Sequence, residues 1–305
     1  MSGVATTADA VMRSTGVVVL NWKDAARTVV LVRSLLADFC PEHVVVSDNE
    51  SDGSLRSALD DAGAAAVTVL ARDDNVGFAA GVNPGLAWVL SHGLEHALVL
   101  NNDLRYERGG LLPLFEDVAR RPLRGVAAPL LLDVDGGLQG AGGRVEPWTL
   151  RVDDTAAAAG RDVEFLSWAC VLVDRSTLQT VGLLDESYFM YWEDVDHSLR
   201  VTAAGRELRL VTTARIVHER SVSHGRAGSS ISRYQASGSV RYALSRGGAA
   251  YVGIVVRTAL RIGRRLADRD LTAVREVLRG TASGWRAHLT RAGAGARRRE
   301  GDLTR

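Results

Sequence analysis

The sequence predicts an α/β fold in which a mostly parallel central sheet is flanked by helices. Short β-branched apolar runs alternate with segments of helical periodicity over the first hundred residues, and strands joined through helices pair in parallel. Polar residues follow each of the first four apolar runs. Because open α/β sheets bind ligands beyond the carboxyl ends of their strands, a binding site is expected at these polar positions.

The first strand and helix have the clearest patterns. The run GVVVL at 16–20 predicts a buried strand, and apolar residues at helical spacing predict a helix from Asp24 to Phe39. The helix before the fourth strand is expected to begin at Pro84, with Asn83 as its N-cap, so that NVGFAAGV forms a loop across the cleft. Further strands are predicted at 43–47, 66–70 and 97–100, with a short helix ending near 60.

The middle of the chain continues this alternation. A helix is predicted at 109–121, a strand at 126–132, and a strand at 164–174 that turns Trp168 and Cys170 inward. The glycine-rich DVDGGLQGAGGRV between them predicts a mobile surface loop or, alternatively, a substrate lid. A last strand is expected over 207–217, ending at His218.

Composition limits the function classes. The 305 residues are 46% apolar and 24% charged, and the net charge of +1 argues against nucleic-acid binding. Cys40 and Cys170 lie too far apart for a zinc motif or a disulfide framework, so a reducing cytosol is expected. The first fifteen residues lack a signal-peptide pattern, and the apolar run at 249–256 is too short to cross a bilayer.

Beyond residue 225 the composition becomes basic. We expect a helical region at 226–305 whose last residues, from 292 onward, are disordered. Two arrangements are open for its basic helices: they pack on the preceding domain with their arginines in water, or they lie on anionic lipid at the inner face of the membrane. In the first helix the apolar stripe is Val252, Val255, Ala259, Ile262 and Leu266, with Arg257, Arg261, Arg264 and Arg265 elsewhere.

Four polar strand ends form the predicted cleft. Turn chemistry alone explains any one of them, but four at one edge of one sheet indicate a nucleotide site. No G-x-G-x-x-G or G-x-x-x-x-G-K-[ST] motif is present, which argues against dinucleotide and P-loop sites. Asp103 could bind a divalent cation that neutralises a diphosphate. The candidate residues are Asn21 after the first strand, Asp48 after the second, Asn75 and Gly77 after the third, and Asn102 and Asp103 after the fourth.

An acidic pair, Glu193 and Asp194, stands where the aromatic segment SYFMYW becomes a predicted helix. Val195, Leu199 and Ala203 are expected to form the buried stripe of that helix. Asp194 and Asp196 lie about 200° apart around the axis and cannot serve one site, so we choose Asp194, in the first turn. The simpler alternative is that the acidic residues only stabilise the helix N-terminus.

These strings resemble a known family. DESYFMYWEDVD is similar to the D-E-x-F-F-M-Y-x-E-D-V-D segment of bacterial glycosyltransferase family 2 enzymes, especially the rhamnosyltransferase-like branch. GVVVLNW, VVSDNESDGS, NVGFAAGVNPGL and VLNND resemble, in order and spacing, the motifs of family 2 enzymes of GT-A fold. The resemblance implies that Asp194 is the catalytic base, that Asp48 meets the nucleobase, that Asp103 binds the metal, and that His218 completes metal or diphosphate contacts.

The sequence departs from the family pattern at three positions. Trp22 replaces a common tyrosine, and Asn101 leaves Asp103 as the one carboxylate of its triplet. Trp168 stands where relatives commonly have glycine. Its indole either narrows the donor or acceptor pocket, as part of the nucleotide-sugar site, or is a packed core ring.

The hypothesis that follows is an inverting glycosyltransferase using Mg²⁺ or Mn²⁺. Residues 1–225 would form the catalytic domain, with a nucleotide-binding half at 14–104 and an acceptor half at 105–225. The resemblance implies a dTDP-deoxysugar donor such as dTDP-rhamnose, or a UDP-sugar, and a glycan, glycolipid or natural-product acceptor. The alternatives are a sugar-1-phosphate nucleotidyltransferase, whose Gly/Arg-rich loop is missing, and a non-catalytic sugar-binding or membrane-adaptor protein. The hypothesis requires that Asp48, Asp103 and Asp194 converge.

Overall fold

The computed structural model describes residues 2–140, 142–154, 162–219 and 230–302, and it separates into two compact units. The first unit comprises residues 1–144, 153–187 and 193–223, and the second comprises 145–152, 188–192 and 224–305. The predicted helical region therefore shares the second unit with two short segments of the predicted catalytic domain. The functions predicted for residues 1–225 and for residues 226–305 stay predictions.

The first unit contains seven helices among its described residues. Their apolar faces cover a central sheet, as the alternating sequence pattern predicts. In chain order they are α1 Ser2–Arg13, α2 Ala25–Leu35, α3 Ser54–Asp61, α4 Gly77–Ser91, α5 Arg108–Arg120, α6 Arg175–Val181 and α7 Glu193–Ala203.

The described residues contain twelve strands. They are β1 Thr15–Trp22, β2 Val44–Asn49, β3 Thr68–Ala71, β4 His96–Asn101, β5 Leu104–Arg105, β6 Gly125–Leu132, β7 Leu138–Gly140, β8 Gly142–Glu146, β9 Arg151–Asp153, β10 Phe165–Leu166, β11 Cys170–Asp174 and β12 Glu207–His218.

Nine of these strands form the central sheet, in the order β3-β2-β1-β4-β11-β6-β12-β5, with β7 beside β6. The pairs β3–β2, β2–β1, β1–β4 and β6–β12 are parallel, whereas β11 is antiparallel to both of its neighbours. The prediction of an α/β fold with a central sheet flanked by helices is thus confirmed; parallel pairing holds for the four strands β3-β2-β1-β4, whereas the other half of the sheet is mixed. β8, β9 and β10 form a separate small sheet.

Strand β1 shows why the β-branched runs form the centre of this sheet. Val17 and Val19 point into one hydrophobic cluster and Val18 points into another on the opposite face. All three side chains are fully buried. A strand covered on both faces needs a continuous apolar run, and GVVVL supplies one.

The predicted start of α4 at Pro84 is wrong, because the helix runs from Gly77 to Ser91 with Pro84 inside it. Proline lacks the N–H that a helix interior normally uses. Packing compensates for this loss: a Cβ at Gly85 would lie 2.4 Å from Val18 Cγ1, so the helix approaches β1 closely where it has no side chain. Asn83 is not an N-cap, since its side chain bonds both the N–H and the carbonyl of Leu184, at 3.1 and 2.9 Å.

Two further expectations need correction. The glycine-rich stretch after β6 is not simply a loop, because β7 and the start of β8 lie within it; residue 141 lies outside the described residues. Helix α1 was not predicted at all, although its residues Ala8 and Met12 are buried in the core. Short helices without strong periodicity are easily missed in a sequence.

The second unit is built on three helices, α8 Ser230–Arg246, α9 Ala249–Ala267 and α10 Leu271–Asp302. Helix α10 runs through most of the segment that was expected to be disordered. The aromatic segment 188–192 packs on α8: Phe189 stacks on Tyr234 with ring centroids 4.3 Å apart, and Trp192 packs on Tyr242 at 4.9 Å. These rings support the second unit rather than forming an open wall.

Candidate active site

The carboxyl ends of β1, β2 and β4 bring three predicted site residues into one hydrogen-bond network. Asn21 Nδ2 donates to Asp48 Oδ1 at 2.6 Å. Asn21 Oδ1 accepts from Thr28 Oγ1 at 2.7 Å and from Asn102 Nδ2 at 3.3 Å. All four side chains are buried. The strand register, which pairs Asn21 with Asp48, therefore places these polar residues at one edge of the sheet.

A pocket of about 150 Å³ opens beside this network. Asp48 contributes a carboxylate at the pocket and Arg72 a guanidinium, while Leu70 and Ala71 supply apolar surface. The remaining lining residues are Ser47, Asn49, Gly81 and Pro84. An apolar face with a carboxylate at its rim suits a flat ring that carries N–H donors.

Asn75 and Gly77 have a clear local role in the turn that starts α4. Asn49 Nδ2 donates to Asn75 Oδ1 at 3.0 Å and to the Gly77 carbonyl at 3.1 Å, and Asn49 Oδ1 accepts from Val76 N at 3.1 Å. Asn75 Oδ1 also accepts from Gly77 N at 3.0 Å. Asn49, absent from the predicted site residues, is thus the side chain that fixes this turn beside the pocket.

Asp103 and His218 meet at the ends of β4 and β12. The antiparallel pairing of Leu104 with His218 aligns the two residues, and His218 Nε2 lies 3.0 Å from Asp103 Oδ1. The other imidazole nitrogen, Nδ1, lies 2.6 Å from Gln139 Oε1, and Gln139 Nε2 donates to the His218 carbonyl at 3.1 Å. Gln139 on β7 therefore orients the imidazole, a role that its glycine-rich surroundings in the sequence did not indicate.

The Asp103–His218 pair has the chemistry of a partial metal site. Burial raises the pKa of the Asp103 carboxyl, but the hydrogen bond and charge of His218 outweigh burial and hold that pKa below its usual value. A carboxylate oxygen and an imidazole nitrogen both suit Mn²⁺, and Mg²⁺ favours the oxygen. Within the described residues no group of three or more His, Cys, Asp or Glu side chains could hold a metal ion. The pair therefore fits a cation that completes its coordination with substrate phosphates.

Trp168 links this edge of the sheet to α7. Asn101 N donates to the Ala169 carbonyl at 2.9 Å, so Trp168 lies next to the end of β4. The indole is only 1% exposed, and its edge meets the His197 ring with centroids 4.9 Å apart. This is the geometry of a packed core ring. Cys170 is also buried, as the sequence predicted.

The buried face of α7 differs from the predicted stripe. Val195, His197, Ser198 and Val201 are buried, whereas Leu199 is only half-buried and Ala203 is exposed. His197, which is not part of the predicted stripe, contacts Trp168 and lies with Nε2 3.1 Å from the Gly182 carbonyl. Burial, and then the charge of Arg200, lower the pKa of His197 to about 3. The imidazole is therefore neutral at physiological pH.

The two acidic residues at the start of α7 have different environments. Glu193 is buried, and burial followed by the charge of Asp194 raises its pKa well above the usual value. No described residue hydrogen-bonds Glu193 Oε2. Asp194 is half-buried, and its Oδ1 accepts from Val195 N at 2.8 Å. The environment of Glu193 therefore favours its protonated form.

The backbone before the acidic pair is strained. Tyr191 and Trp192 both have left-handed conformations, with φ of 68° and 76°. Bulky aromatic residues rarely adopt such angles, and conformations of this kind cluster at functional sites. Nothing in the sequence SYFMYW indicates this pair of left-handed residues.

The structure thus brings Asn21, Asp48, Asn102, Asp103 and His218 to one edge of the sheet. His197 on α7 contacts Trp168, which precedes Ala169, the partner of Asn101 at the end of β4, and Asp194 precedes His197 by less than one helical turn. Asn75 and Gly77 lie at the adjoining turn.

Comparisons with known proteins agree with this architecture. No protein-family model matches the chain. The chain is similar to the N-acetylglucosaminyl-diphospho-decaprenol L-rhamnosyltransferase of Mycobacterium tuberculosis, with 29% identity over 223 residues that cover 63% of this chain and 71% of that protein. It is also similar to a low-salt glycan biosynthesis hexosyltransferase of Haloferax volcanii, with 24% identity over 62% of this chain and 63% of that protein.

Solved structures share the fold. A mannosyltransferase from Pyrobaculum calidifontis, in complex with GDP-Man and Mn²⁺, matches with a TM-score of 0.52 and 16% identity over 93% of this chain and 80% of that chain. GalNAc-T7, with UDP, GalNAc and Mn²⁺, matches with a TM-score of 0.51 and 14% identity over 81% of this chain and 53% of that chain.

The fold is therefore the GT-A fold of nucleotide-sugar glycosyltransferases. With named relatives that are a rhamnosyltransferase and a glycan hexosyltransferase, the chain is a glycosyltransferase, and its resemblance to the rhamnosyltransferase-like branch of family 2 is confirmed.

Proposed function

We propose that this glycosyltransferase is metal-dependent and inverting, and that it moves a sugar from a nucleoside diphosphate to an acceptor hydroxyl. The observation that supports this most strongly is the buried chain of hydrogen bonds from Asp48 through Asn21 to Asn102, next to the Asp103–His218 pair. It joins a candidate nucleobase contact to a candidate metal contact along one edge of the sheet.

The pocket beside Asp48 is the proposed site of the nucleobase. The carboxylate would accept a hydrogen bond from the ring N–H of uracil or thymine, and Leu70 and Ala71 would contact the ring face. We take the donor to be a dTDP-deoxysugar such as dTDP-rhamnose, with a UDP-sugar as the second candidate. The similarity to a protein named as an L-rhamnosyltransferase supports rhamnose as the transferred sugar.

Asp103 and His218 are the proposed protein ligands of Mg²⁺ or Mn²⁺. When bound, the cation would offset the negative charge that develops on the departing diphosphate. Gln139 would keep the imidazole oriented toward Asp103 through its hydrogen bond at Nδ1, because a metal-ligating histidine is commonly oriented by a partner at its other ring nitrogen. Neighbours of the same fold were crystallised with Mn²⁺, which supports a divalent metal without choosing between the two.

Asp194 is the proposed catalytic base. It would accept the proton of the acceptor hydroxyl while the hydroxyl oxygen attacks the anomeric carbon and the nucleoside diphosphate leaves from the opposite face. A single displacement of this kind inverts the anomeric configuration. A positioned base typically contributes about 10²- to 10⁴-fold to the rate. Glu193, whose pKa is raised by burial, would hold its proton and stay uncharged beside Asp194.

The proposed acceptor is a glycan or a lipid-linked sugar. The mycobacterial relative is named for a sugar carried on diphospho-decaprenol, which supports an acceptor at a membrane surface. We therefore place the protein in the cytoplasm, at the inner face of the membrane while it acts. A natural-product hydroxyl is the alternative acceptor and would need no membrane.

Release of nucleoside diphosphate from a panel of nucleotide-sugars, with Mg²⁺ or Mn²⁺, tests the proposal. We expect slow release from a dTDP- or UDP-sugar that EDTA abolishes and added cation restores. Pyrophosphate formation from a sugar 1-phosphate and a nucleoside triphosphate would instead identify a nucleotidyltransferase. Failure to bind or turn over any nucleotide-sugar would identify a non-catalytic adaptor.

A further inference from the structure

Exposed apolar side chains are concentrated in the second unit. Among the described residues eleven large apolar side chains are exposed, and nine of them belong to this unit. They include three aromatic residues, Trp148, Tyr251 and Trp285, the types that are enriched where proteins meet the boundary between water and lipid. A concentration of exposed apolar side chains in one unit indicates an interaction site.

Helix α9 buries Ala250, Gly253 and Ile254 but leaves a second apolar stripe exposed. Val252, Val255, Ala259 and Leu266 fall within an arc of about 60° around the axis and are exposed. Val255 is 70% exposed. In a helix packed by its apolar stripe, this arc would be buried.

Beside these buried apolar residues, the inward face of α9 also carries arginine. Arg261 Nη1 donates to the Gln235 carbonyl and to Ser239 Oγ, both at 3.0 Å, and Arg265 Nη2 donates to Ser232 Oγ at 3.2 Å. Burial, and then the charge of Arg257, lower the pKa of Arg261 to about 9. The sequence-based alternative in which the helix turns these arginines to water is therefore wrong for Arg261.

A second exposed stripe runs along α10. Leu271, Leu278 and Trp285 recur every seven residues and lie on one side of the helix. Arg275 and Arg279 are exposed beside this stripe. The opposite side packs closely on α8, since a Cβ at Gly280 would lie 2.1 Å from the Arg233 carbonyl oxygen.

The tip of the β8–β9 hairpin extends the apolar surface of α9. A Cβ at Gly253 would lie 2.7 Å from the Pro147 carbonyl oxygen and 2.8 Å from Leu150 Cγ, so the hairpin tip is held against α9. Trp148, at that tip, is 58% exposed. Trp148 therefore follows directly in sequence the residue whose carbonyl contacts α9 at Gly253.

The net charge of this unit indicates the kind of surface to which it binds. Residues 230–287 contain eleven arginines and three carboxylates, a formal charge of +8. We propose that the second unit docks on an anionic lipid bilayer, with the exposed stripes of α9 and α10 and the hairpin tip lying among the headgroups. Basic residues around an apolar, aromatic-containing helical face are the pattern of interfacial membrane helices. No helix in the described part of the chain is long and apolar enough to cross a membrane.

Co-sedimentation of the full-length protein with lipid vesicles tests the proposal. We expect binding to vesicles that contain phosphatidylglycerol, weaker binding to phosphatidylcholine alone, and a loss of binding as salt is raised. Val255→Asp should lower the partition constant roughly tenfold or more, because it places a charge where an apolar side chain meets lipid. Arg264→Glu, which keeps the apolar face, should weaken binding to anionic vesicles selectively.

Val30→Asp is the matched control. Val30 is a similarly exposed valine, at 66%, on α2 of the first unit, and its substitution should leave vesicle binding unchanged. Equal loss in Val30→Asp and Val255→Asp, or no wild-type binding to anionic vesicles, would overturn the proposal. A wild-type dimer that Val255→Asp converts to a monomer, without vesicle binding, would make this face an interface between copies. Release of nucleoside diphosphate from a soluble donor should be the same in Val255→Asp and wild type, which separates this test from that of the proposed function.

Discussion

Replacing Asp48 by alanine is expected to weaken both donor binding and the fold. Asp48 Oδ1 accepts from Asn21 Nδ2 at 2.6 Å, and both side chains are buried. Losing this acceptor leaves a buried amide N–H without its partner, at a cost of about 1–3 kcal/mol in the free energy of unfolding. If the carboxylate also accepts from the nucleobase, binding loses a charged hydrogen bond of about 1.5–3 kcal/mol, or about 10- to 100-fold in Kd.

Isothermal titration calorimetry with UDP and dTDP, in the presence of Mn²⁺, measures this Kd. The matched control is Asp52→Ala: Asp52 is an exposed carboxylate on the loop after β2, and it bonds only its neighbour Ser54 among the contacts described here. That substitution should leave the Kd within about twofold, because the side chain is in water. An unchanged Kd in Asp48→Ala, or an equal loss in both variants, would refute the assignment of the nucleobase pocket.

Three other substitutions test separate parts of the account. Asp103→Ala should weaken the binding of Mn²⁺ with nucleoside diphosphate and should raise the barrier to turnover by several kcal/mol. Calorimetry measures the binding and an initial-rate assay measures the turnover. An unchanged dependence of the rate on metal would contradict the metal assignment. His197 has a folded pKa of about 3 against an ordinary 6.5, so its contribution to stability is present above pH 6.5 and is lost as the pH falls toward 3. On the order of 3 kcal/mol should be lost by pH 4.5, at roughly 1.4 kcal/mol per pH unit, and urea titrations should show that His197→Phe flattens this dependence on pH. Trp168→Ala should lower the free energy of unfolding by about 3–5 kcal/mol. Trp148→Ala, at an exposed indole, should lower it by less than about 0.5 kcal/mol. Similar losses for the two variants in urea titrations would argue against the core position of Trp168.

The parts of the fold that sequence could predict are those set by local pattern. The run GVVVL became β1 because a strand covered on both faces needs continuous apolar residues, and the positions after each strand follow directly from parallel pairing. The sequence pattern alone therefore predicts that Asn21, Asp48 and Asn102 lie at one edge of the sheet, although it does not predict the hydrogen bonds between them.

The parts that sequence could not predict depend on tertiary packing. Local sequence rules predict that a helix starts at Pro84. In the structure the helix continues on both sides of Pro84, because Gly85 packs closely on Val18 and the Asn83 side chain bonds the Leu184 backbone. Likewise His197 is polar by type, and only the Trp168 ring and the Gly182 carbonyl explain why it is buried.

Two features of the structure, one in each unit, had no sequence signal at all. Gln139 reaches His218 from β7 across about eighty intervening residues, in a stretch whose glycines indicate a loop. The inward arginines of α9 oppose the usual rule for basic amphipathic helices, and their partners on α8 became visible only in the folded unit.

The central claim is that Asp194 removes the acceptor proton at the edge of the sheet that binds the nucleotide-sugar. Its most direct test is glycosyl transfer by Asp194→Asn, with donor Kd measured on the same preparation and Asp196→Asn as the control. Asp196 lies one turn from Arg200 and pairs with it at 2.9 Å, so its substitution tests the loss of a carboxylate elsewhere on α7. We predict a loss of about 10²-fold or more in turnover with nearly unchanged donor binding for Asp194→Asn. Transfer by Asp194→Asn at close to the wild-type rate would contradict the account.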